Sequence, residues 1–373
     1  MPDLLLHIDP LRVESLWSGQ RPFVSRPPMQ ILTFPRAALA ALLTCSTLTV
    51  TSCQIQPRPL ENSVEAELED AVVRGFDGII VYVDKPSGQA LYSAGWKDRA
   101  AQVPADPHAL FKIASISKLY IAAATTIMVA DDELSLDSSL VQLVPEVAGN
   151  IDNAEEITLR MMLQHRSGIP EFIYHPDFAN SPEDSYLETA SLVYGQAADF
   201  DPGTSYSYSN TNYLLIGEIL DRTLGYSHHD YIDVEILAPL GLEETYHELG
   251  DLDPDTVMSG YFIGYGPDMK TVEEHTRPGG SMVATATDVG VFVRALIDGS
   301  LFTTEEQDIY TSVYPYEHTG WVSGYTSIVR YHPDIDAVVV QFVSTSHGPL
   351  FWVELERVYS RIVKTVEQGE SGV

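Results

Sequence analysis

The chain has 373 residues, 45% of them hydrophobic and 20% charged, with 21 Lys and Arg against 53 Asp and Glu and a net charge of −32. That length holds one large domain or two interleaved ones, and the composition excludes intrinsic disorder, a collagen-like fibre and a many-span membrane protein. So acidic a surface argues against nucleic acid or anionic lipid as partners; it suits a solvated surface, or one screened by a salty medium.

The first segment reads as targeting sequence. Ala37 to Val50 is an apolar stretch behind Arg36, too short for the roughly 20 residues a bilayer span needs. A basic residue, an apolar run and then small residues form the secretory-leader pattern. The run ends Val50-Thr51-Ser52-Cys53, which resembles the lipobox of bacterial lipoproteins; an ordinary secretory signal cleaved nearby is the alternative. The expectation is a lipoprotein leader over 29–52, with Met29 as the start and 1–28 as an upstream artefact. Cys53 is then the lipidated residue, 53–63 a tether, and the protein is exported and anchored by lipid to the cell envelope, facing the periplasm. Cys45 and Cys53 are the only cysteines, so the remainder of the chain has no disulfide framework and no thiolate metal site. His-Glu-x-x-His, a Walker-type loop and a Gly-x-Ser-x-Gly elbow are all missing from the sequence, and neither metal nor cofactor is expected.

Val64, Leu68, Ala71 and Val72 recur at helical spacing, and Gly75 is a plausible stop. Gly78 to Val83 and Ala90 to Ala94 read as strands around the turn Lys85-Pro86-Ser87-Gly88. Next comes Ala114-Ser115-Ile116-Ser117-Lys118, followed by Leu119 to Met128, which has almost no charge. A helix apolar all round is a buried one. Ser115 at its first turn and Lys118 three residues on share one face. The helix N-terminus favours negative charge on the Ser oxygen. A partly desolvated Lys favours its neutral form and becomes a candidate proton acceptor. Ser-x-x-Lys alone equally suits a Ser N-cap with a snorkelling Lys.

Further along, Tyr208-Ser209-Asn210 lies in a polar, aromatic loop ahead of the apolar-periodic Leu214, Leu215, Ile216 and Ile219. Tyr208 can exchange a proton if a neighbouring cation lowers its pKa, and Asn210 can bond a substrate amide. An N-capping loop would have the same residues. His318-Thr319-Gly320 sits just before a hairpin signal at His332-Pro333-Asp334, flanked by the β-rich runs Tyr325 to Tyr331 and Ala337 to Val343. At an edge strand a His and a Thr hydroxyl can hold a carboxylate, and Gly lets backbone and ligand approach closely; a lone His is otherwise a structural residue. Leu355, Val358, Ile362 and Val366 form one face of a closing helix. Strands at both ends with helices between predict an α/β fold: an antiparallel sheet flanked by N- and C-terminal helices, with a mostly helical region inserted at roughly 125–275, all within a domain over 64–373.

Ser-x-x-Lys, Tyr-x-Asn and His-x-Gly in this order resemble the serine β-lactamase and penicillin-binding superfamily, in its class C β-lactamase, D-alanyl-D-alanine carboxypeptidase and esterase branch. The resemblance runs over about 64 to 366. It draws also on Leu110 to Lys118, Asp132 to Asp137, Ile157 to Pro170, Gly279 to Thr285 and Gly324-Tyr325. It implies the β-lactamase/DD-peptidase fold and a serine hydrolase with Ser115 as the acylated nucleophile. Lys118 and Tyr208 would relay its proton, and either can be the base. Asn210, His318, Thr319 and Gly320 would bind substrate, and the backbone N–H groups of Ser115 and Trp321 would form the oxyanion hole. His318 stands where typical β-lactamases carry Lys, Trp321 stands where many relatives have a small residue, and the interval between the second and third motifs is short. These departures point to small-molecule or peptide substrates of the D-alanyl type, as in a D-Ala-D-Ala carboxypeptidase. A small-ester esterase, a β-lactamase and a non-catalytic penicillin-binding envelope scaffold are the alternatives.

Overall fold

The computed structural model describes residues 58–370 apart from 179–184, 251, 264–265 and 272–277. The expected leader, the expected lipidation site Cys53 and the tether as far as residue 57 lie outside the described residues. The chain divides into two units, Met1–Leu60 and Glu61–Val373, and the second carries the fold and the site.

Helix α1 (Val64–Val73) is capped by Ser63, whose side chain accepts from Ala66 N. Strands β1 (Gly78–Lys85), β2 (Gly88–Asp98) and β3 (Val103–Pro104) follow, then the two-residue β4 (Phe111–Lys112). A 3₁₀ turn over Ala114–Ile116 leads into helix α2 (Ser117–Ala130). After several short helices comes α3 (Thr211–Leu224), closed by Gly225 in the left-handed conformation. Short strands β5 (Thr245–Tyr246), β6 (Tyr261–Phe262) and β7 (Val283–Ala284) precede helices α4 (Ala286–Asp298) and α5 (Thr304–Val313). The chain ends with β8 (Glu317–Val322), β9 (Tyr325–His332), β10 (Ala337–Val343), β11 (Thr345–Ser346) and helix α6 (Pro349–Glu370).

The main sheet has six antiparallel strands in the order β3-β2-β1-β10-β9-β8. Its centre joins the two ends of the domain, since β1 pairs with β10 from Ile79↔Val343 to Asp84↔Val338. Alternation along β1 sends Ile79, Val81 and Val83 to one face and Ile80 and Tyr82 to the other. The first face packs under α1 and α6, through Leu68, Leu355, Val358 and Ile362. The second packs on α2 and α4, through Leu119, Ala123, Val289 and Phe292. This is the expected α/β arrangement: an antiparallel sheet, terminal helices on one side and the helical region on the other.

Two details add to the expectation. The stretch 125–275 also carries β5 and β6, and β5 belongs to a three-stranded sheet β4-β7-β5. Two-residue strands leave no alternating pattern to read. The His318 triplet lies on an edge strand, β8, paired with β9 at His318↔Val329 through Gly320↔Ser327. It thereby forms the sheet edge that faces the start of α2.

Candidate active site

Helix α2 is buried on every side from Ser117 to Met128, so its first turn can be fixed from all directions. Ser117 Oγ donates to Ala114 O (2.6 Å) and accepts from Met282 N (3.3 Å), while Ile113 N donates to Met282 O (3.1 Å). Ala114 is held at φ 51°, in the left-handed region. Such backbone strain persists only where the surroundings over-determine it. Ser115 follows, half-buried. No side-chain cap bond is made at this helix start, and Lys118 is 0% exposed. Ser115 is therefore not an N-cap, and Lys118 does not snorkel.

Lys118 Nζ lies 2.7 Å from Gly279 O, 2.8 Å from Asn210 Oδ1 and 3.3 Å from Ser115 Oγ. Burial pushes its pKa down to about 7, with the charge of Glu171 acting the other way. A neutral amine has two N–H groups and one lone pair. The two shorter contacts take the N–H groups and leave the lone pair for Ser115. Gly279 makes this possible: at φ +73° a side chain there would be strained, and a Cβ would meet Lys118 Cγ at 2.8 Å.

The Tyr208 hydroxyl donates to Ser115 Oγ at 2.9 Å. The expectation that a cation lowers the pKa of Tyr208 is corrected: burial, the leading cause, raises it well above its ordinary value. Lys118 Nζ lies over the phenol ring, 5.1 Å from its centre, and is itself drawn toward the neutral state. Tyr208 is thus a neutral phenol that can donate and accept. His165, itself left-handed at φ 54°, stacks on the Tyr208 ring at 4.2 Å and accepts from Ser209 N through Nδ1 (3.1 Å).

Asn210 is oriented from the far side. Its backbone N and its Nδ2 both donate to Glu171 Oε2, at 2.6 and 2.9 Å, which turns Oδ1 toward Lys118.

His318 lies between Tyr208 and Tyr314, with ring centres 6.2 and 6.1 Å away. Burial, followed by repulsion from Lys118, pushes its pKa down to about 3. The environment of this imidazole thus favours its neutral form. His318 Nδ1 donates to Thr319 O at 2.5 Å, so Nε2 is left as an acceptor. Gly320 passes so close to the nucleophile segment that a Cβ would meet Ile113 O at 2.3 Å and Ser327 Oγ at 2.2 Å. Trp321, next along β8, is 41% exposed. Among the described residues, no group of three or more His, Cys, Asp or Glu side chains is placed to hold a metal ion.

The fold thus gathers Ser115, Lys118, Tyr208 and Asn210 into one hydrogen-bonded set, with His318, Thr319, Gly320 and Trp321 along the adjoining edge. Sequence reasoning assigned no role to Glu171, Gly279, His165 or Tyr314. His165 and Gly279 lie inside segments that carried the resemblance, and Glu171 is the residue just after one of them.

A model of the beta-lactamase family matches residues 65–313. The chain belongs to the beta-lactamase family. Within this serine-hydrolase family it is 26% identical over 197 residues to a penicillin-binding protein of Bacillus subtilis, covering 51% of this chain and 42% of that protein. It is 27% identical over 187 residues to the Staphylococcus aureus protein flp, covering 50% and 37%. The chain therefore spans about two fifths of the length of these curated relatives. Among solved structures, the D-amino acid amidase of Ochrobactrum anthropi superposes with a TM-score of 0.74 at 22% identity, covering 83% of this chain and 99% of that one. A penicillin-binding protein of Bacillus halodurans gives 0.66 at 20% identity, covering 82% and 99%. At such identities the likeness establishes the β-lactamase/DD-peptidase fold.

Proposed function

We propose that this chain hydrolyses amide bonds through an acyl-enzyme on Ser115, with neutral Lys118 as the base. The observation that carries the reading is the convergence of Lys118 Nζ (3.3 Å) and the Tyr208 hydroxyl (2.9 Å) on Ser115 Oγ, at the start of a buried helix. Lys118 takes the Ser115 proton as Oγ bonds to the substrate carbonyl carbon. The oxyanion is held by the N–H groups of Ser115 and Trp321. As the intermediate collapses, the C–N bond breaks and the leaving amine receives the proton from Lys118 by way of the Tyr208 hydroxyl. Water then attacks the acyl-enzyme, giving its proton to Lys118, and the acid is released with Ser115 reprotonated.

The substrate class we favour is a D-alanyl peptide or a related D-amino acid amide. The order and chemistry of the three motifs support the first. The state of His318 supports the second, because a neutral ring with an accepting Nε2 suits a carboxamide or amine donor better than a carboxylate. The names of two structural neighbours, a D-amino acid amidase and a D-stereospecific amidohydrolase, agree with an amide of D configuration. The test is covalent labelling by a fluorescent penicillin, together with turnover of a D-Ala-D-Ala peptide, a D-amino acid amide and a p-nitrophenyl ester. Wild type should be labelled and should prefer a D-amide, and Ser115→Ala should do neither. A folded Ser115→Ala that is labelled or active at wild-type rates would overturn the reading.

A further inference from the structure

The mechanism above uses Lys118 as a base, yet the groups in direct contact with it are neutral: Ser115 Oγ, Asn210 Oδ1 and Gly279 O. The rings of Tyr208 and Tyr213 flank it at 5.1 and 5.0 Å, and the imidazoles of His165 and His318, both pushed toward the neutral form by burial first and Lys118 second, stand near it on two further elements. One carboxylate acts on it, that of Glu171, and it does so from behind Asn210. We propose that Glu171 is a positioning residue, whose carboxylate locks the Asn210 amide with Oδ1 toward Lys118 and stands as a counter-charge behind that amide. The proposal rests on the acyl-enzyme reading.

The local structure explains how a carboxylate comes to sit there. Glu171 follows Pro170 and caps the 3₁₀ turn Phe172–Tyr174, its Oε1 accepting from Ile173 N at 3.2 Å. Its Oε2 is free to take both N–H groups of Asn210. The two loops are stitched beside this contact: Thr211 Oγ1 donates to Pro170 O (2.6 Å) and accepts from Phe172 N (3.1 Å), and Ser209 Oγ donates to Pro170 O (3.3 Å). Glu171 and Asn210 are therefore held in register by contacts that do not involve either side chain.

An amide can present its oxygen or its NH₂ to a neighbour, and the two ends are nearly equal in shape. With Nδ2 committed to Glu171, Oδ1 must face Lys118. Without that carboxylate the amide can turn, placing a donor against the lysine N–H groups and disturbing the lone pair aimed at Ser115. The carboxylate also has an electrostatic effect: burial raises its own pKa, the N–H groups of Asn210 and Ile173 and the charge of Lys118 oppose that rise, and in its ionised form it favours protonated Lys118.

These two effects separate in the experiment. The rate of covalent labelling by a fluorescent penicillin is measured from pH 5 to 9 in wild type, Glu171→Gln and Glu171→Ala, with folding checked by circular dichroism. Wild type should lose activity as Lys118 becomes protonated below about pH 7. Glu171→Gln keeps an oxygen for the two Asn210 donors but drops the charge, so its plateau should stay within a few-fold of wild type and its midpoint should move to lower pH. Glu171→Ala frees the amide, and its plateau should fall about ten- to a hundredfold. A residue that merely capped the turn would leave the Gln midpoint where it is. A folded Ala variant that keeps the wild-type plateau overturns the proposal, and so does a folded Gln variant with an unmoved midpoint. If wild type is not labelled, or Ser115→Ala is, the nucleophile assignment fails and the relay fails with it.

Discussion

Among the described residues, two of the buried cations are held in opposite ways. Between α1 and α6, Arg361 donates to both oxygens of Glu67, at 2.8 and 2.9 Å. The pair is 9% and 1% exposed, and charge meets charge directly. At the start of α2, Lys118 is 0% exposed and touches neutral oxygens, with its carboxylate one amide away. Direct pairing keeps a cation charged and is suited to joining helices. Indirect pairing leaves desolvation dominant and brings a lysine to the edge of neutrality, where it can accept a proton. Burial alone does not distinguish a structural cation from a chemical one; the distance to the counter-charge does.

Substitutions at the two cations should therefore fail in different currencies. Lys118→Met should reduce acylation of Ser115 by about 10⁴-fold or more, as loss of a base in such a unit does, while the protein stays folded. Stability supplies a second reading of the same site. Between about pH 7 and the ordinary 10.5, the unfolded chain keeps a proton on Lys118 that the folded chain has shed. Stability contributed by this group thus rises with pH through that window, and the thermal midpoint of wild type relative to Lys118→Met should rise with it. A gap that is flat with pH would show that Lys118 is an ordinary buried ammonium. Glu67→Ala should do the reverse. It removes the carboxylate to which Arg361 donates twice and should cost on the order of 3 kcal/mol of stability, with kcat/KM per folded molecule unchanged. Replacing both, as Glu67→Leu with Arg361→Met, should recover most of that loss in a denaturant titration. An unrecovered loss would mean that the pair does more than join two helices.

The same contrast marks what could be read from the sequence. The sheet and its terminal helices were legible because Val64, Leu68, Ile80, Val340, Leu355 and Ile362 follow their periods and end up in the core. Ser115, Lys118 and Tyr208 were legible as residue types in a characteristic order, and the fold brings them within hydrogen-bonding distance. Their protonation was only half legible. The lowered pKa of Lys118 follows from a helix with no polar face, but Tyr208 and His318 are governed by burial among Tyr314, His165 and Lys118, which come from distant parts of the chain. Glu171 was invisible for a related reason. Its partner Asn210 is 39 residues away, and no local pattern records a contact at that separation.

Gly320 tests how closely the sheet edge must approach the nucleophile. A methyl group there would meet the Ile113 carbonyl, which is backbone, and Ser327 Oγ, which already bonds that carbonyl at 3.0 Å. Gly320→Ala must therefore move β8 away from Ala114 and Ser115. A displacement on the order of 1 Å near reacting groups costs about 10²-fold in rate. The loss should appear in the acylation rate of a folded protein. A near wild-type rate would mean that β8 is not part of the site.

The smallest expected effect is an absence of pH dependence, and it bears on substrate. Consider a D-alanyl-D-alanine peptide offered once with a free C-terminal carboxylate and once as the C-terminal carboxamide, with hydrolysis followed at the same D-Ala–D-Ala bond in both. Were His318 an ordinary imidazole, the acid would lose affinity relative to the amide as pH rose through about 6.5. The fold instead holds His318 neutral down to about pH 3, through burial first and Lys118 second, with Nδ1 committed to Thr319 O. Titration of Lys118 lies in the same range, but it scales both substrates alike, because only the neutral lysine turns either one over. The ratio of kcat/KM for the two should therefore stay level from pH 5 to 8 in wild type, with the amide ahead. His318→Lys restores a cation at the edge of the site and should shift the ratio toward the acid. A wild-type ratio that falls toward neutral pH as the imidazole loses its charge would show that His318 titrates in place. In that case the substrate with a free carboxylate, and with it a carboxypeptidase, becomes the better reading of this site.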